Sequence, residues 1–227
     1  MAKTQSSKNK KEDHNPFFVE AVFSESPLFL QWLQRLHNPD EHYAEGGKSW
    51  KPELRRAHNL GAVLTCRAFA ALCDTMKSAL GSKDAELLPE YMYKRLALIA
   101  GVVVHGKYQE GNTEFIGKTL KGKDKDHPAL SEQRFGRLMS LDDENAFDEI
   151  FLEWKRVTTM FKDSISLPQL ADTLYYWTDR SDGDKVRANL AFFYYGGNNT
   201  DEPPGGENKS AHDNDSAQGD NDDEANK

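Results

Sequence analysis

Between residues 16 and 198 the apolar positions recur at intervals of three and four, the period of an amphipathic helix. The clearest instance lies late in the chain. Ser166 stands three residues before Gln169, the spacing of a capping box, and Pro168 falls in the first turn, where its missing N–H costs nothing. Leu170, Ala171, Leu174 and Trp177 then form one apolar stripe. Ser181, Asp182, Gly183 and Asp184 predict a turn, with Asp184 able to cap a second helix that carries Val186, Leu190 and Phe193 inward and stops at Gly196-Gly197. Together these predict a helical hairpin closing a bundle, with Lys185 and Arg187 at the rim of its buried stripe.

The same reading extends to the rest of the chain. A first helix is expected from Pro16 to about Phe23, and a second from Ser26-Pro27, with Phe29, Leu33 and Leu36 on one face and Trp32 beside them, ending at Asn38-Pro39. In WKPELRRAHNL, residues 50–60, a helix turns Leu54 and Ala57 inward and leaves Arg55 and Arg56 toward the edge or outside. Residues 60–80 read as one strongly apolar helix ending at Gly81. Residues 89–104 are apolar nearly all round and predict a central buried helix; Val102, Val103 and Val104 have no partner strand to join. From Gly106 to Leu130 the pattern lapses into a long irregular section. Helices resume at Ser131, with Phe135, Leu138 and Met139 inward and Arg134 and Arg137 neighbours on another face. Asp142 or Asp143 is expected to cap the next helix, whose stripe runs Phe147, Ile150, Phe151, Trp154, Val157, Phe161.

The fold class this predicts is all-α: two packed helical bundles, residues 16–128 and 129–198. Residues 1–15 are rich in Lys, Ser and Asn, and residues 199–227 in Asn, Asp, Gly and Glu, without apolar periodicity; both are expected to be disordered. No signal peptide is recognisable and the most apolar run, Leu96–Val104, is too short to span a bilayer, so a cytoplasmic protein with no membrane partner is expected.

Charge refines this picture only when divided. The net charge of −8 argues against a nucleic-acid binder, but residues 199–227 alone hold nine acids against two lysines. Residues 51–138 hold fifteen Lys and Arg against ten Asp and Glu. Salt confines a surface charge to about 8 Å, so a local basic patch matters more than the total.

Catalytic chemistry finds little support. Cys66 and Cys73 share a helix face, too far apart along it to bridge, and read as core. The seven histidines are scattered, with none at metal-ligand spacing to His58. Asp142, Asp143 and Glu144 fit a helix start better than a metal cluster. GNTEFIGKT lacks the two glycines of a phosphate loop and the strand that precedes one. Neither cofactor nor metal is expected, and the chain does not read as an enzyme.

Two segments carry a resemblance. RFGRLMSLDD, Arg134 to Asp143, and LPQLADTLYYW, Leu167 to Trp177, followed by KVRANLAFFYY, resemble the CasB family, the small subunits of the type I-E CRISPR effector Cascade. ELRRA, Glu53 to Ala57, and FIGKTL, Phe115 to Leu120, match weaker landmarks in the expected order, so the likeness covers roughly residues 50–195. The family commonly has more basic residues after the YYW-type segment, where Asp179, Asp182 and Asp184 stand here around Arg180. The resemblance implies a non-catalytic subunit, present in two copies, lying against the other Cascade subunits. There it would contact CRISPR RNA, target and displaced DNA strands and stabilise the R-loop in antiviral defence. Carried over by matching position, the nucleic-acid-binding residues it implies are Arg55, Arg56, Lys118, Arg134, Arg137, Lys185 and Arg187. The alternative is a helical scaffold with no nucleic-acid role, whose basic residues would scatter rather than converge.

Overall fold

The computed structural model describes residues 19–38, 47–79, 88–124, 127–143 and 145–196. The expected disordered segments 1–15 and 199–227 lie outside them. Ten helices and no strand occur among the described residues: α1 (Pro27–His37), α2 (Gly47–Arg56), α3 (Leu60–Leu64), α4 (Arg67–Ala79), α5 (Glu90–Val103), α6 (Ile116–Lys121), α7 (Glu132–Met139), α8 (Phe147–Met160), α9 (Leu167–Tyr176) and α10 (Gly183–Tyr195). The all-α expectation is met. No described helix is long and apolar enough to cross a membrane.

The helix that is apolar all round is the centre of the molecule. Leu96 to Val104 are all buried, and α5 packs against α2, α3, α4, α8 and α9 at once. Around it, α1 lies on α4 and α2, α7 lies on α8, and α10 lies mainly on α6. One cluster of buried apolar side chains runs from Phe23 to Tyr194. Each fully buried Leu, Ile or Phe in it contributes about 1.5–3 kcal/mol by leaving water. Two helix starts use local caps: Ser26 Oγ accepts from Phe29 N at 3.3 Å, ahead of Pro27, and Asn59 Oδ1 accepts from Ala62 N at 2.8 Å.

Several local expectations are corrected by tertiary partners. The helix expected from Pro16 to Phe23 begins outside the described residues and is absent from Val19 onward, where the chain is irregular and then turns. Asp172, buried on α9, accepts the N–H groups of Val22 (2.8 Å), Phe23 (2.7 Å) and Ser24 (3.1 Å), which draws that backbone away from a helical ladder. The single helix expected over 60–80 breaks into α3 and α4: Thr65 N and Cys66 N bond to carbonyls three residues back, and the Thr65 hydroxyl donates to Ala62 O at 2.8 Å. Its expected end at Gly81 lies outside the described residues. Cys66 and Cys73 are buried free thiols, and burial pushes Cys73 up to about 11.

Ser166 and Gln169 make no capping box. The Ser166 hydroxyl donates to Asn112 O at 2.6 Å and the Gln169 amide to Thr113 O at 2.7 Å, so both tie the 112–113 loop to α9. Asp182, not Asp184, precedes α10, and Asp143 accepts from Asn145 N at 2.8 Å in a turn that leaves Ala146 at the start of α8. The two helices of the expected hairpin stay in contact, but each packs mainly elsewhere, α9 on α5 and α10 on α6.

The section expected to be irregular contains α6. Its apparent start, Phe115, gives no side-chain cap, and the helix persists because Gly117 lets it lie directly on α10. A Cβ at Gly117 would come within 2.7 Å of Phe193 Cβ and strike the Leu190 carbonyl.

Candidate nucleic-acid interface

Helix α2 presents its cations because its apolar residues face inward. Leu54 and Ala57 are buried, which turns Arg55 and Arg56 outward. Lys51 stands one turn before Arg55 on the same side. Arg55 Nε donates to Val104 O at 3.3 Å, at the C-terminal end of α5, whose partial negative charge suits a guanidinium. From α8, Lys155 Nζ donates to Ala57 O at 3.4 Å and lies 5.5 Å from the centre of the Phe151 ring.

Two histidines feel burial and these cations together. His37, at the end of α1, accepts from Lys51 Nζ at 3.3 Å. Burial first, then the charges of Lys51 and Arg55, push His37 down to about 3. Burial, then Lys155 and Arg55, push His105 down to about 4. Lys51 is itself lowered by burial and by Arg55. The charged side chains acting on this group are therefore all positive: Lys51, Arg55 and Lys155 from two helices far apart in sequence. Such a cluster of like charges attracts an anion and repels further cations.

The other expected site residues are placed less uniformly. Arg56 is exposed and lines a polar cleft of about 580 Å³ with His58 and Arg67. Lys118, exposed on α6, lies 6.0 Å and 5.6 Å from the ring centres of Phe115 and Phe193, which stack at 4.3 Å. Arg134 is exposed on α7, held by Phe135, whose ring stacks on Tyr194 at 3.8 Å. It has no ion pair with a described residue. Arg137 pairs with Glu153 at 2.9 Å, which also takes Arg156. Lys185 pairs with Asp182 at 2.8 Å.

Arg187 is mostly buried, its side chain 13% exposed; one guanidinium nitrogen donates to Trp177 O and the other pairs with Asp184 at 2.6 Å. Arg95 likewise pairs with Asp179 at 3.0 Å.

The convergent group thus contains one expected residue, Arg55, and two that sequence reasoning passed over. Lys51 was detectable as the i−4 neighbour of Arg55; Lys155 carried no local signal.

Comparison with curated proteins and with solved structures gave no match in either case. The chain does match the family described as CRISPR-associated protein Cse2, over residues 51–195. That span takes in the latter part of α2 and all of α3 through α10, including every cation described above, and covers more than half of the 227 residues, so the chain belongs to the Cse2 family.

Proposed function

We propose that this chain grips nucleic-acid backbone within a type I-E Cascade and thereby stabilises the R-loop between CRISPR RNA and target DNA. Family membership implies a subunit of the CRISPR Cascade and, with it, a non-catalytic role. The observation that carries the finer reading is the convergence of Lys51, Arg55 and Lys155 on two buried or half-buried histidines, whose neutrality is owed first to burial and then to these charges. Arg56, Lys118 and Arg134 are further exposed cations, on α2, α6 and α7. Arg187 is committed to the fold, and Arg137 and Lys185 to ion pairs.

Backbone contacts of this kind suffice for the task. R-loop exchange is nearly balanced in base-pairing energy, so modest sequence-independent attraction tips it. Each neutralised phosphate also releases counterions. The partners this reading names are the other Cascade subunits, CRISPR RNA, the target and displaced strands, and a second copy of the chain.

A tagged chain expressed with its genomic neighbours should co-purify with CRISPR RNA and partner subunits. The resulting particle should hold matched target DNA longer than one assembled without the chain. Equal retention with and without it would leave a scaffold and remove the nucleic-acid role.

A further inference from the structure

Helix α10 ends at Gly196, whose φ of 93° closes the helix in the left-handed conformation. The place where it ends is distinctive. A Cβ at Gly196 would fall against Nζ of Lys121, so α10 ends against α6. That helix, IGKTLK, carries Lys118 and Lys121 and no acid, and Lys123 comes just after it, exposed. None of the three lysines has an ion pair with a described residue. Arg134 belongs to the same neighbourhood, since Ala129 N and Leu130 N bond to Lys121 O and Leu120 O, and Phe135 stacks on Tyr194. Glu114, Asp124 and Glu132 are carboxylates of this end; Asp124 follows Lys123 directly and accepts from His127 N at 3.3 Å.

Beyond Gly196 the sequence supplies the complementary charge. Residues 199–227 carry nine acids, beginning at Asp201 and Glu202, against Lys209 and Lys227. Asp201 is five residues beyond Gly196, a reach of at most about 17 Å, whereas the six residues of α6 rise only about 9 Å. The first acids can therefore reach all three lysines without the chain doubling back. A tether this short gives an effective concentration on the order of millimolar, and the charges meet at the range over which salt leaves them unscreened.

We infer that the acidic tail docks on the α6 lysines, Lys118, Lys121 and Lys123, as an intramolecular substitute for nucleic-acid phosphate, and that nucleic acid must displace it. The competition part rests on the nucleic-acid reading above; the docking part does not. Such a tail discourages weak, non-specific binding by the free subunit and yields to the denser charge of an assembled R-loop.

Zero-length carbodiimide cross-linking of the full chain, read by mass spectrometry, tests the docking. Links should join tail carboxylates to Lys118, Lys121 and Lys123 in preference to the exposed Lys94, Lys107 and Lys162, and should fade in high salt. Links spread evenly over all lysines, or none at all, would overturn it. The competition is read by replacing the nine tail acids with their amides in the full chain. Binding of a labelled single-stranded oligonucleotide should then tighten about fivefold at ~50 mM salt, with the gain gone at ~200 mM. Binding unchanged by the replacement would overturn the competition. If neither chain binds the oligonucleotide, the competition fails, while the cross-links still decide the docking and retention by the assembled particle still decides the nucleic-acid reading.

Discussion

Acidification should destabilise the protein through the two histidines at the basic group. In the folded chain His37 is held down to about 3 and His105 to about 4. Unfolded, each returns to about 6.5. Both are therefore neutral when folded, and below pH 6.5 the unfolded chain binds protons that the folded chain refuses. Their contribution to stability is fully present above about 6.5 and is lost as pH falls from there toward the folded values. At pH 5 the loss from His37, only 9% exposed, is about 2 kcal/mol. His105 is half-buried and solvent screens it, so its share is no more than about 1 kcal/mol.

Together these are a large part of the 5–15 kcal/mol that holds a typical domain folded. Urea unfolding at pH 8, 6 and 5, alongside NMR titration of the histidine ring protons, measures both. Asp172 works in the opposite sense, because burial raises its carboxyl. The comparison should therefore include His37→Gln, whose stability should be flatter with pH. Arg55→Gln should raise both histidines by removing a shared positive neighbour. Ring protons titrating near 6.5 in the wild-type chain would refute the burial and the field alike.

Packing sets three further expectations. Trp177→Ala should cost about 3–5 kcal/mol in denaturant unfolding, because the ring is fully buried, stands edge-on to Trp154 at 5.1 Å and donates its N–H to Leu141 O. Gly117→Ala should cost about 1–3 kcal/mol by forcing α6 off α10, seen as a lower melting temperature; an unchanged one would contradict the close approach. Asp172→Asn should cost about 1–3 kcal/mol by turning one acceptor of the 22–24 backbone into a donor, with faster amide exchange at Phe23 and Ser24 as its signature.

Apolar periodicity was the legible part of this sequence. Leu54 and Ala57, the nearly uniform stretch before Val104, and the stripe ending in Trp177 all read as they pack. Polar signals were less dependable because long-range partners competed for them. Ser166 and Gln169 have capping-box spacing, yet a loop more than fifty residues away takes both side chains. Asp172 looked like an ordinary helix polar residue and instead organises the chain near Phe23. Helix α6 was invisible because its cap makes no side-chain bond and its stability comes from α10. Basic residues split the same way. Arg55 turned outward as its helix face required, but its companion Lys155 lies a hundred positions later, and only the fold brings them together. Arg187, expected at a rim, is drawn inward by the Trp177 carbonyl at the end of α9.

The central claim is that Lys51, Arg55 and Lys155 meet phosphate in the assembled complex. Filter binding of matched target DNA across a salt series tests it, using complexes that carry the wild-type chain, the triple variant Lys51→Gln/Arg55→Gln/Lys155→Gln, or the control Lys94→Gln. Lys94 is exposed on α5, about 15 Å of helix from Val104. The triple variant should assemble normally and lose affinity about equally for all matched sequences. Its slope of log affinity against log salt should flatten by roughly one unit for each phosphate contact removed, while the control keeps the wild-type slope. A triple variant with the wild-type slope, or one that drops out of the complex, would contradict the account.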